Sequence, residues 1–184
     1  LVDLFRAVRV ARLEAEDRYR PEHEASLERM DWQALDHDEL AMVPPVFVLE
    51  TADRVLTHAM SALSTLLRSG RPLHLIILDA SAAMTLEADA AGLAAAHPDL
   101  GYLAVAHRDA LVLQTSLALP GHLYDGLGTV AASLRPSVAV VAVPEWSGPV
   151  APWAQLTAAH HGRATPGFLY DPDAGVTWAR RFDL

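Results

Sequence analysis

Three carboxylates, Glu50, Asp53 and Asp79, stand where short apolar runs end. In an α/β protein such positions fall at the carboxyl ends of strands, where ligands bind, so the trio can in principle hold a divalent cation. The local reading is plainer. Thr51 can cap a helix, Asp53 in its first turn favours the positive end of the dipole, and Asp79 caps the turn after its strand. His160 and His161 are adjacent and point in different directions on a helix, whereas a helical metal pair wants i, i+4 spacing. His107, followed by Arg108 and Asp109, reads as a helix-end cation. Ser64, Ser116 and Ser147 lack the G-x-S-x-G context of a nucleophile elbow.

Other chemistries are excluded by composition. The 184 residues contain no Cys, no Lys and no Asn. There is thus no disulfide, no thiolate nucleophile, no cysteine-ligated zinc or iron–sulfur cluster, and no Walker lysine. A diphosphate needs close backbone approach, which glycines allow, and a helix N-terminus or magnesium to neutralise it. The turns at residues 50–53, 79–85, 114–119 and 144–148 hold no glycine-rich loop. The net charge of −9 argues against nucleic acid or an anionic membrane as partner. No apolar run reaches the roughly 18 residues of a membrane span. Asp3 and Arg6 interrupt the first apolar stretch, which is therefore not read as a signal peptide, and the cytoplasm is the expected compartment. The start at Leu1 and the stop at RFDL read as a domain cut from a longer chain.

These residues are positioned by a succession of short apolar runs and helical segments. Residues 1–19 form an amphipathic helix that fades toward Pro21, and residues 22–43 an acidic connector, anchored by Trp32 and Leu35, with a helical turn at 36–42. From Pro44 the pattern changes. VFVLE at 46–50, a continuous apolar run behind two prolines, reads as a buried strand, followed by a helix from Thr51 to a C-terminal glycine at Gly70. LHLIILD at 73–79, ALVLQTS at 110–116 and SVAVVAV at 137–143 are the next strands. Helices fall at 85–97, 98–107, 120–134 (weakened by Gly126 and Gly128) and 152–161, and GFLYD at 167–171 reads as an edge strand. Trp146, Trp153 and Trp178 are expected to pack as an aromatic cluster. The pattern indicates an α/β fold: three layers, with a mainly parallel sheet flanked by helices, over 44–184 behind an N-terminal segment of 1–43.

The order of segments resembles one family. PPVFVLE, the helix ending LLRSG, RPLHLIILD, then LGYLAVAHRDALVLQTSLALPGHLYDGL, SLRPSVAVVAVPE and GRATPGFLYDPDAG are similar to the C-terminal thiamine-diphosphate domain of pyruvate:ferredoxin (flavodoxin) oxidoreductases, over residues 44–175. The resemblance implies a thiamine-diphosphate-binding fold. It carries over no working residue intact. The family's Gly-Asp-Gly, whose Asp binds Mg²⁺, corresponds to Glu50-Thr51-Ala52-Asp53, with Ala52 at the metal-binding position. Its Asp-Thr-x-x-Tyr-x-Asn-Thr-Gly-Gly corresponds to DASAAMTLEA, in which Asp79 alone survives, and the stretch after that loop is reduced to a few alanines and Gly92. Its cluster-binding Pro-Cys step is Pro144-Glu145.

What the resemblance implies is therefore a degenerate domain of a 2-oxoacid oxidoreductase-like protein. The first expectation is a non-catalytic, structural role, with no cofactor, no metal and no iron–sulfur cluster, and with Glu50, Thr51, Asp53 and Asp79 as positional remnants. Its partners would be the other domains of the parent chain or a second copy in a homodimer. Two alternatives stand beside it: a domain that still binds Mg²⁺-thiamine diphosphate for oxidative decarboxylation, and a module for another small ligand.

Overall fold

The computed structural model describes residues 1–81, 98–144 and 150–184. The helix expected at 85–97, Gly92, Glu145, Trp146 and Ser147 lie outside the described residues. The chain divides into two compact units, Leu1–Pro44 and Pro45–Leu184. Among the described residues no helix is long and apolar enough to cross a membrane.

The first unit comprises α1 (Val2–Ala15), α2 (Pro21–Glu28), a 3₁₀ turn (Trp32–Ala34) and α3 (His37–Ala41). It is more than a connector. Phe5, Met30, Leu35 and Val43 form a small core of their own, with Val2 and Leu40 packed against it. Leu35 is an anchor, as expected. Trp32 is 42% exposed and is not one. The acidic run is not wholly solvated either. Glu39 is buried, and the Arg9 guanidinium donates to both of its oxygens, with Nε to Oε1 at 2.7 Å. Glu39 Oε2 also accepts the Asp36 N–H at 3.0 Å while Asp36 Oδ1 accepts the Glu39 N–H at 2.9 Å, a reciprocal capping box. These donors hold the Glu39 carboxyl below its ordinary range, the Arg9 hydrogen bond first among them, and Arg9 is raised in return. Arg6 Nε donates to the Leu27 carbonyl at 2.7 Å, which also accepts the Met30 N–H at 3.1 Å, tying α1 to the end of α2.

The second unit is a six-stranded sheet in the order β1-β2-β4-β3-β5-β6, built from β1 (Val46–Thr51), β2 (Leu73–Asp79), β3 (Leu111–Ser116), β4 (Ser137–Ala142), β5 (Phe168–Tyr170) and β6 (Phe182–Asp183). The first four run parallel. β5 is antiparallel to β3, and β6 to β5. The α/β class is as expected, but two strand placements differ. β1 is not buried: it lies at the edge, where Val46, Phe47, Val48 and Leu49 are 44–64% exposed. β5 is not an edge strand; it lies between β3 and β6 with Phe168 and Tyr170 fully enclosed. An apolar run marks a strand, but its neighbours are chosen by packing remote in sequence.

The helix after β1 is also less regular than its spacing suggests. Three residues of α4 (Ala52–Arg54) pass through a π turn (Val55–Ala59) into α5 (Met60–Leu67), and Thr51 makes no side-chain cap. Gly70 follows with a left-handed φ of 65°. One core joins Val55, Leu63 and Leu67 to Ile77, Val112, Val138 and Val140, and to Leu100, Ala104 and Val105 on or beside α6 (Leu100–Val105). The opposite sheet face carries Leu111, Leu113 and Ala139 against Val130 of α7 (Pro120–Ala132). Gly126 is what lets α7 approach, since a Cβ there would stand 2.5 Å from Leu113 Cδ1. The last helix is α8 (Pro152–His161), opened by a proline at its first turn. The aromatic cluster forms around other rings than expected. Trp178 packs tilted against Tyr170 and edge-on against Phe182, while Trp153 is 60% exposed.

Candidate functional site

The carboxyl ends of β2, β3 and β4 enclose a cleft of about 70 Å³, lined by Asp79, Ser81, Asp99, Gln114, Thr115 and Thr165 among others. The register explains the convergence: Asp79 and Ser116 both stand opposite Ala142, so the ends of three strands finish level. β3, like β4, is fully enclosed, with all six of its residues buried. It carries Gln114 in, a polar side chain that must find partners. Gln114 Nε2 donates to Asp99 Oδ2 and to the Pro166 carbonyl, each at 3.2 Å, while Oε1 has no partner among the described residues. Asp99 uses its other oxygen to cap α6, accepting the Tyr102 N–H at 3.0 Å. Gly101 makes this possible, because a Cβ there would fall 1.9 Å from Gln114 Oε1.

Thr115 points to the other sheet face, where its hydroxyl lies 2.8 Å from His122 Nδ1 and ties the strand end to α7. Thr165 Oγ1 is a second buried atom without a partner among the described residues. The cleft thus presents two carboxylates and two orphan oxygens, and no arginine lines it among the described residues. Such a wall favours a ligand that donates hydrogen bonds and repels an anion.

The residues singled out from sequence are not brought together. Asp79 lines the cleft and its Oδ1 accepts the Ser81 N–H at 2.8 Å, the turn-capping role expected of it. Glu50 is on the outer strand, its Oε2 3.2 Å from Arg54 Nε in an i, i+4 ion pair. Its Oε1 accepts the Thr51 N–H at 3.3 Å. Thr51 and Asp53 are exposed, and neither lines the cleft. Among the described residues no group of three His, Asp or Glu side chains can hold a metal ion. Ser116 is buried, with Oγ accepting the Ala118 N–H at 3.1 Å. The His160 and His161 rings are tilted at 57°, and His160 Nδ1 is buried without a partner.

Magnesium and thiamine diphosphate, which the resemblance implies, do not suit these residues. Ala52, at the position of the metal-binding Asp, is buried and carries no oxygen ligand. The Glu50 carboxylate is engaged by Arg54. Gln114, Asp99 and Thr165 were not legible as a set, since they lie in three segments. One signal was available: a glutamine inside an otherwise apolar buried strand.

At the amino end of the sheet lies a second buried polar pair. His74 and Ser137 are opposite each other on β2 and β4 and both are fully enclosed. His74 Nδ1 is 2.7 Å from Ser137 Oγ, and Nε2 has no partner among the described residues. Burial lowers the imidazole's pKa and keeps it neutral. The Phe47 ring lies 5.0 Å away, on the same face.

No family model matches this chain, and no curated protein is similar to it. The class defined on these grounds is an α/β protein with a mostly parallel six-stranded sheet.

Proposed function

We propose that this chain is a non-catalytic domain with a degenerate thiamine-diphosphate-like fold, serving the assembly of a 2-oxoacid oxidoreductase-like protein. The observation that carries the reading is β1. Four consecutive apolar residues stand 44–64% exposed on an outer strand, an edge of the kind that proteins otherwise cover or protect with charge. The carboxyl-end cleft supports it from the other side: the carboxylates of Asp79 and Asp99 in its wall disfavour a diphosphate. The partners on this reading are neighbouring domains of a parent chain or a second copy.

Titration calorimetry of the chain with Mg²⁺-thiamine diphosphate tests it. The expected result is no saturable heat. Saturable binding that Glu50→Ala or Asp53→Ala abolishes overturns the reading and restores the decarboxylase alternative. The orphan acceptors Gln114 Oε1 and Thr165 Oγ1 favour a second reading, a module for a small hydrogen-bond donor. Its mark is a melting shift with small ammonium or amidinium compounds that Gln114→Leu removes.

A further inference from the structure

We propose that β1 pairs antiparallel with β1 of a second copy, joining two sheets across a two-fold axis at Val48. This rests on the assembly reading above and names its partner.

Among the described residues no strand pairs with its outer side. Residues 46–49 carry no charge, and none of them is a proline. Their exposure falls on both faces of the sheet, Val46 and Val48 on one and Phe47 and Leu49 on the other, as the period of two requires. A ligand groove would leave one face open. Exposure of both faces along an unpaired edge is what strand addition covers.

Self-pairing meets the geometry. In a continuous antiparallel sheet, opposite residues share a face, so a strand pairs with its copy only where partner numbers sum to an even value. Three centres are then available. A centre at Phe47 brings Pro45 opposite Leu49 within the ladder, and Pro45 has no N–H to give. A centre at Leu49 brings Ala52, already in α4, opposite Val46. The centre at Val48 sets Val46 opposite Glu50, Phe47 opposite Leu49 and Val48 opposite itself. About this centre residues 46–50 pair in full, and Pro45 falls opposite Thr51 at the ladder's last position, outside the paired stretch.

Charge agrees with this register. Two acidic chains repel, but Glu50 is held by Arg54 on its own chain and faces a valine of the copy. The four side chains leave roughly 400 Å² of surface per copy, taking about half of each chain's full area. That is about half of the roughly 800 Å² per partner of a standard interface, so the pair is a weak association, micromolar rather than nanomolar.

The test uses the whole 184-residue chain, which has no cysteine to interfere. At a two-fold on Val48 the two Cα atoms are roughly 4.5–5.5 Å apart, inside the disulfide range. Val48→Cys is expected to give a disulfide-linked dimer on mild oxidation. Val46→Cys is the matched control, because its own copy lies roughly 13 Å along the ladder. Light scattering from about 1 μM to 1 mM should show a monomer–dimer equilibrium that Leu49→Lys shifts at least tenfold toward monomer, with an unchanged circular dichroism spectrum. A chain monomeric at about 1 mM, or cross-linking no greater at position 48 than at 46, overturns the proposal. So does a dimer indifferent to Leu49→Lys, which uses another surface or another partner strand. Cofactor binding in the calorimeter would defeat the assembly reading without touching this result, and a monomer that binds no cofactor would defeat only the pairing.

Discussion

Replacing Ser137 by alanine would strip His74 of its hydrogen-bond partner in a place that solvent does not reach. The pair is 2.7 Å long, both side chains are fully enclosed, and His74 Nε2 is already unpartnered. Ser137→Ala should therefore cost about 1–3 kcal/mol, the desolvation cost of a buried polar group left alone. His74→Leu strands the Ser137 hydroxyl and should cost a similar amount. The double variant should cost less than the two singles summed, with a coupling of about 0.5–3 kcal/mol. The histidine also gives the stability a pH slope. Its folded pKa lies below the ordinary value, so the unfolded chain binds the proton first as pH falls. Its stabilising contribution is complete above about pH 6.5. It declines below that, by at most about 1.4 kcal/mol per pH unit, until the folded pKa is passed. Urea unfolding from pH 8 to pH 5, followed by circular dichroism, measures both effects. Parallel stability curves for the native chain and the His74→Leu/Ser137→Ala variant, or additive single costs, would refute the account of a neutral, enclosed, hydrogen-bonded pair.

Other substitutions test other joints. Gly101→Ala places a Cβ 1.9 Å from Gln114 Oε1, so it should destabilise the second unit by about 1–3 kcal/mol; Gln114→Ala in the same chain should recover most of that loss in a thermal melt. Tyr170 is fully enclosed and its hydroxyl donates to the Arg108 carbonyl at 3.1 Å. Tyr170→Phe should cost about 1 kcal/mol, which scanning calorimetry would read as a fall of about 2–4 °C in Tm. Glu39 has a lowered pKa, so its contribution is present above about pH 4.3 and is lost as pH falls through the folded value. Glu39→Gln should loosen the first unit at pH 7 and flatten its acid loss, measured by amide exchange of residues 2–41. Unchanged exchange would mean that the Arg9 pair is idle.

Much of the local structure was legible along the chain. Short apolar runs mark β2, β3 and β4 to within a residue or two, and the proline at the start of α8 marks its first turn. Composition alone removes thiolate, lysine and asparagine chemistry from any site. These readings succeed because a strand's apolarity and a helix's cap are properties of neighbouring residues. The acidic connector was the local failure. Its charge hides a folded unit, since Glu39 is satisfied by Arg9, thirty positions away.

Strand order is where sequence stops and tertiary structure decides. VFVLE reads the same whether it lies at the centre or the edge; only the packing of β2 against β4 leaves it outside. FLY is too short to announce itself as interior, yet pairing with β3 and β6 encloses it. Nor does spacing bring Gln114, Asp99 and Thr165 into one cleft. Periodicity reports which face of an element is apolar, and carries nothing about which distant element covers that face. The carboxylates Glu50 and Asp79 stand at the ends of successive strands, but of the two only Asp79 lines the cleft, because β2 lies beside β4 while β1 is left at the edge of the sheet.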